Sequence, residues 1–294
     1  MKSKRTMQGV LMLVLCHFLW STNNIAGRVL GGVLDPVTVT ALRWLLAMPF
    51  YPLILGWSVI WGVKRYISVK TLILGLTGMV LFNIVLYESL ALTQASLVGL
   101  AYGFTPALIL IFSALIGLEK PSRLQVAGST LSVLGVILLF TLKGAAASSS
   151  DILGLSLGVS TGVIWAVYTV LQGKFYPGGD QAALTYASIV LTAPLLGLTA
   201  SPLIYTKLEI MLKPEVLLAL LWIAVATGAL GYYAWNKGVS LVGPAIAAPF
   251  ANLIPVFTAL LGSMLLGESL GVGDLVGGAL IVLGSTISTI GGRH

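Results

Sequence analysis

Residues 143–150 read Lys-Gly-Ala-Ala-Ala-Ser-Ser-Ser, a small, polar stretch in a chain that is otherwise a succession of long apolar runs. A helix needs about 20 mainly apolar residues to cross the hydrocarbon core of a bilayer. Five such runs precede this stretch, at roughly residues 7–30, 37–60, 70–90, 96–117 and 124–142, and five follow it, at roughly 152–174, 181–201, 214–236, 245–266 and 272–290. The connections carry turn or charge signals, as in Asp35-Pro36, Lys64-Arg65, Glu119-Lys120-Pro121, Tyr176-Pro177-Gly178-Gly179-Asp180 and Lys213-Pro214. The alternating segments of about 10 residues that mark a membrane β-barrel are absent from this pattern. An all-α integral membrane protein follows, with ten transmembrane helices in two domains, 1–143 and 151–294, joined by a linker at 144–150.

Composition agrees with that reading. Of 294 residues, 57% are hydrophobic and 9% are charged, whereas a soluble domain carries about a quarter charged residues to clothe its surface. The 34 glycines sit inside apolar runs with no G-X-Y period, which suits closely packed transmembrane helices. The net charge of +7 does not point to nucleic acid, because the basic residues lie in short segments between apolar runs. With the N-terminus in the cytoplasm, the inner segments hold Lys2, Lys4, Arg5, Lys64, Arg65, Lys70, Lys120, Arg123, Lys174, Lys237 and Arg293, and the outer ends hold Arg28, Lys143, Lys207 and Lys213. That bias predicts both termini in the cytoplasm. The basic start Met1-Lys2-Ser3-Lys4-Arg5 looks like a secretory signal, but the apolar run after it is too long and no small-residue cleavage site follows, so a retained first helix is expected. The single cysteine, Cys16, allows no intramolecular disulfide.

The two halves repeat one another in offset blocks. At an offset of 145, Trp20 falls on Trp165, Asp35 on Asp180 and Pro49 on Pro194. At 149, Pro106 falls on Pro255, Glu119 on Glu268, Gly128 on Gly277, and Val133-Leu134-Gly135 on Val282-Leu283-Gly284. An odd number of helices per repeat makes the second copy enter the membrane from the opposite side. Two inverted five-helix repeats around a central cavity are the expected result, an arrangement typical of secondary transporters in which each unit can exchange conformation with the other.

The Gly-Leu-Glu-Lys-Pro end of the fourth helix (Gly117 to Pro121), the matching Leu-Gly-Glu-Ser end of the ninth (Leu266 to Ser269) and the tryptophan of the first resemble the EamA family of the drug/metabolite transporter superfamily over almost the whole chain. Within it the chain looks most like bacterial aromatic amino acid exporters of the YddG type. The resemblance implies a ten-helix bundle in a bacterial inner membrane, alternating access, and export of amino acids or related metabolites without a cofactor. A different metabolite or a drug cation of the same superfamily is the alternative substrate, and a channel the alternative mechanism. The partners implied are a small-molecule substrate and the lipid bilayer, with no nucleic acid, for a chain acting as a monomer.

Polar and aromatic residues at mid-membrane depth are the candidate substrate-binding groups, because an unsatisfied polar group in lipid costs several kcal/mol. They are His17, Trp20 and Asn24 on the first helix, Asn83 and Tyr87 on the third, Tyr102 on the fourth, Trp165 and Tyr168 on the sixth, and Tyr232 and Asn236 on the eighth. His17 is either a packed helix contact or a substrate ligand. Together these residues offer donors for a carboxylate, acceptors and ring faces for an ammonium, and an aromatic wall. Trp44, Trp57, Trp61 and Trp222 are expected at the interfaces or facing lipid. Pro106 and Pro255 are expected to kink the fourth and ninth helices as gates, and an Arg43–Glu88 contact to close the outer mouth. Glu119 and Glu268 are expected to cap loops or pair with Lys120 or helix ends. The Gly273–Gly277 GxxxG is expected to pack within the bundle.

An enzyme is not expected. The two histidines, His17 and His294, form no H-E-x-x-H, and no metal cluster is visible. No Asp or Glu lies in mid-membrane, which favours facilitated, gradient-driven transport with His17 as the one titrating candidate.

Overall fold

The computed structural model of the chain describes residues 2–117, 121–143, 148–242 and 248–291, and these form helices and turns with no strand. In chain order the helices are α1 (Lys2–Gly31), α2 (Pro36–Leu55), α3 (Val69–Leu92), α4 (Ala95–Leu115), α5 (Arg123–Lys143), α6 (Ser149–Phe175) and α7 (Gln181–Thr206). Next comes α8, in the consecutive segments Pro214–Leu221, Trp222–Leu230 and Gly231–Val242, and then α9 (Leu253–Leu266) and α10 (Val272–Gly291). Short helices at Ser58–Val63 and Leu208–Met211 bridge two of the connections. By length and composition seven helices among the described residues can cross a membrane, and α5, α9 and α10 contribute shorter apolar ones. Leu115, Leu198, Met264 and Val272 are each over 70% exposed, a lipid-compatible exterior that water would oppose.

Local chemistry explains the repeated residues. Asp35 and Asp180, one offset apart, are both N-caps: Asp35 accepts from the Thr38 amide at 2.9 Å, and Asp180 from the amides of Ala182 and Ala183. Such a cap satisfies amides that have no partner within the helix. Ser148 and Asp151 form a reciprocal capping box at the start of α6, which makes the serine-rich end of the linker a helix start; residues 144–147 lie outside the described residues. Glu268 takes the amides of Ala95 and Ser96 and the Ser96 hydroxyl, at 2.7, 2.9 and 2.6 Å. It therefore caps α4 from the end of α9, where Gly267 turns the chain at φ +65°. Glu119 lies outside the described residues.

Pro106 and Pro255 sit differently from the kinks predicted for them. α4 is divided into Ala95–Tyr102 and Thr105–Leu115, and α9 is preceded by a 3-10 turn at Ala248–Asn252. Each proline lies in the first turn of the segment that follows, where its missing N–H breaks no helical bond. Both helices are thus discontinuous rather than bent. α3 and α8 carry wide π-helical segments, Gly75–Leu81 and Trp222–Leu230, and an offset of 149 lays the first inside the second.

α5 and α10 pack antiparallel with their backbones nearly touching. A Cβ on Gly284 would lie 2.5 Å from the Gly128 carbonyl oxygen, and one on Gly135 would lie 2.7 Å from that of Gly277. The 149 offset exchanges these two pairs. Gly273 faces Leu142, so the GxxxG is used inside the bundle. Gly284→Val, which must push the two backbones apart, should lower the melting temperature in detergent by the equivalent of about 1–3 kcal/mol. Gly173→Ala, whose Cβ would meet nothing within 4 Å, should leave it unchanged or higher.

Candidate functional site

A cavity of about 490 Å³ lies among α1, α2, α3, α4, α6 and α8 and runs towards Gln125, Gln172, Gln181 and Ser288. Gly238 of α8 packs on Leu13 and Gly9 of α1, and Tyr176 after α6 bonds Ser68 and Thr71 before and within α3. The cavity therefore extends towards the end of the bundle where α1 begins. Its size suits a small organic molecule.

Most of the residues singled out in the sequence meet there. His17, Trp20, Asn24, Asn83, Tyr102, Trp165, Tyr168 and Tyr232 line the cavity, and so do Arg43, Pro106 and Pro255. Tyr87 stands behind the wall, 1% exposed, and acts through Arg43. The side chain of Asn236 lies outside those described. Glu88 is half-buried and does not line the cavity. The contact expected between Arg43 and Glu88 is not formed in this structure: Arg43 turns instead to Asn23 and Tyr87.

Both π segments hold a cavity tryptophan. The Trp44 indole N–H donates to the Met79 carbonyl at 2.8 Å, and the Trp20 N–H to the Thr227 carbonyl at 3.2 Å. A carbonyl has two lone pairs and can accept from a side chain in addition to its backbone partner, and π turns concentrate at functional sites. The expectation that Trp44 lies at an interface is corrected: it is 1% exposed and belongs to the cavity wall. A hydrogen-bonded indole with its ring against a guanidinium has no reason to seek the lipid headgroups. Trp57, Trp61 and Trp222 are exposed, as expected of lipid-facing or interfacial side chains.

Around these indoles the rings pack edge to face or tilted. Trp20 meets Tyr232 at 5.5 Å and Trp235 at 6.0 Å, and Trp165 meets Phe82 at 4.8 Å and Tyr168 at 5.1 Å. His17 makes the packed contacts of the first reading and also lines the cavity. Its Nδ1 lies 2.7 Å from the Leu13 carbonyl, and its ring stands edge-on to Trp20 and Trp235. A carbonyl can only accept, so the proton is on Nδ1 and Nε2 is left as an acceptor.

The polar centre is built on Asn23, which accepts from Arg43 Nη1, from the Tyr87 hydroxyl at 3.0 Å and from the Thr227 hydroxyl at 3.2 Å. One amide oxygen so ties α1, α2, α3 and α8 together. Asn24 donates to the Tyr102 hydroxyl at 2.8 Å and to Thr258 at 3.1 Å, and Asn83 donates to the Met79 carbonyl at 2.9 Å. Trp44, Phe82 and Trp235 are site residues outside the candidate set drawn from the sequence. Trp235 was within reach, since it shares a helical face with Tyr232 at i+3 and adjoins Asn236.

These features define a polytopic membrane protein with a guest-sized cavity enclosed between its helices. The chain belongs to the EamA-like transporter family, whose pattern matches it twice, over residues 7–141 and 152–290. It is 29% identical over 286 residues to the uncharacterized transporter YyaM of Bacillus subtilis, spanning 94% of this chain and 91% of that one. It is 25% identical to a probable amino-acid metabolite efflux pump of Salmonella typhimurium (96% and 95% covered) and 24% identical to the aromatic amino acid exporter YddG of Ancylobacter novellus (94% and 95% covered). A crystal structure 22% identical in sequence superposes over the full length of both chains with a TM-score of 0.60.

Asn23→Leu removes the acceptor shared by three donors and leaves the Tyr87 hydroxyl buried without one, while Arg43 Nη1 keeps the Tyr87 oxygen and the Thr227 hydroxyl keeps the Ile223 carbonyl at 2.7 Å. It should lower the melting temperature in detergent by the equivalent of at least about 2 kcal/mol, whereas Thr227→Val, which removes one donor and leaves the acceptor served, should cost less than half as much.

Proposed function

We propose that this protein is a secondary carrier that exports amino acids, aromatic ones foremost, or closely related metabolites across a bacterial inner membrane. Ten spans in two five-helix repeats of opposite orientation enclose the site, with both termini in the cytoplasm. The observation that carries this reading is the cavity itself. Amide, phenol, indole and guanidinium groups from both halves of the chain converge on one space of about 490 Å³ inside a lipid-facing bundle. The relatives named for amino-acid efflux align with nearly the whole chain, which supports the substrate class. The paired discontinuities of α4 and α9 and the paired π segments of α3 and α8 support alternating access, because they put matching soft points in the two repeats. The cavity runs towards the end of the bundle that the charge bias assigns to the cytoplasm, as an inward-facing state would have it. Among the described residues no carboxylate lines the cavity, which supports transport down the substrate gradient. The glycine seam between α5 and α10 consumes the close-packing surface within one chain and supports a monomer.

Counterflow in proteoliposomes tests the reading. Vesicles preloaded with unlabelled tryptophan or phenylalanine should accumulate the labelled amino acid transiently, with saturation. Saturable exchange of only cationic drugs would overturn the substrate class, and unitary conductance in planar bilayers would overturn the carrier. Replacing Pro106 and Pro255 together by alanine should preserve membrane insertion yet slow exchange several-fold. Unchanged rates would remove the two prolines from the gating step.

A further inference from the structure

The cavity carries an electrostatic sign that its neutral lining conceals. Among the described residues, Arg43 is the one lysine or arginine in the cavity wall, and no aspartate or glutamate lines it. The side chain is 5% exposed, and its partners are all neutral: the Asn23 amide oxygen, the Tyr87 hydroxyl at 2.7 Å, and the Trp44 ring, whose centroid lies 4.8 Å from the guanidinium carbon. A cation this deep in a membrane protein ordinarily has an anionic partner.

Its free hydrogen-bonding capacity has a direction. Both bonds leave from Nη1, while Nε is buried with no acceptor and Nη2 makes no bond to the described residues. Nε and Nη2 form the edge of a guanidinium that grips a carboxylate with two parallel hydrogen bonds. Asn83, also in the cavity wall, carries the complementary acceptor. Asn83 and Trp44 both donate to the Met79 carbonyl. Since that carbonyl fixes the amide nitrogen, the Asn83 oxygen points the other way, buried and without a donor. An ammonium is tolerated there, provided that an anion satisfies Arg43.

Building on the carrier reading, we propose that Arg43 anchors the substrate through a carboxylate and makes that group obligatory, so that an aromatic carboxylate or amino acid is accepted and an aromatic amine lacking the carboxylate is refused. Desolvating a second positive charge next to an uncompensated guanidinium is opposed twice, by burial and by repulsion. The aromatic wall would otherwise favour a cation, so the two effects make opposite predictions for one pair of ligands.

Indole-3-propionate and tryptamine share the ring and chain length and differ in the sign of the terminal group. Isothermal titration of the purified full-length protein should show indole-3-propionate binding at least about tenfold tighter than tryptamine. Arg43→Gln should weaken indole-3-propionate at least about tenfold and leave tryptamine unchanged or tighter. Arg43→Lys keeps the charge but loses the fork and should fall between. Tryptamine binding as tightly as the acid to the native protein would overturn the proposal, as would an Arg43→Gln protein that keeps the acid within about twofold, or a native protein that binds neither probe. If Arg43→Gln fails to fold, the native comparison and Arg43→Lys decide. Indole-3-propionate that binds through Arg43 but shows no counterflow in vesicles, together with no counterflow of any amino acid, would refute the carrier reading and leave the anchor standing.

Discussion

A polar group inside a lipid-facing bundle must find its partner within the protein or in a guest, because the hydrocarbon supplies neither donor nor acceptor. This constraint organises the centre of the molecule. Many of the buried serine and threonine side chains close on a nearby carbonyl, as Thr192 and Ser188 do within α7. The groups around Asn23 close on each other and bind four helices into one unit. Among what is left over are three atoms of cavity residues: the Arg43 Nε donor and the amide oxygens of Asn24 and Asn83.

The backbone obeys the same rule. α4 and α9 interrupt their hydrogen bonding, and α3 and α8 widen it, in segments that present one face to the bundle interior, as at Met79 and Thr227, and another outwards, as at Leu76 and Trp222. The carbonyls so presented are put to use, since Met79 and Thr227 hold the two indoles that shape the wall. A regular α-helix would leave those carbonyls less open to a side chain, and the indoles would lose their fixed orientation. Soft points in the helices and rigid points in the cavity are therefore one structural device.

Glycine has the opposite effect at the periphery. Between α5 and α10 it removes side chains altogether, so that the backbones close to contact and the pair behaves as a fixed strut. The seam is symmetric under the offset that relates the halves, and Glu268 reaches from the end of α9 to cap α4 beside it. Helix ends that would otherwise bring unpaired amides to the bundle are closed in this way by a carboxylate from a neighbouring helix.

The positions of the apolar runs, the caps at Asp35 and Asp180 and the paired glycines were legible in the chain, because each depends on residues within a few positions or on a repeat that can be counted. Most of the cavity residues could be named too, since a polar side chain in an apolar run has few places to go. The roles of Trp44, Asn23 and Arg43 were not legible. A tryptophan near a helix end reads equally as an interfacial anchor or a cavity wall, and the choice is made by the Met79 carbonyl, 35 positions away in the chain. Arg43 looked like half of an ion pair with Glu88 until folding placed Asn23 and Tyr87 around it and left its Nε without an acceptor. Periodicity records which face of a helix is buried; only the packing of separate helices records what that face meets.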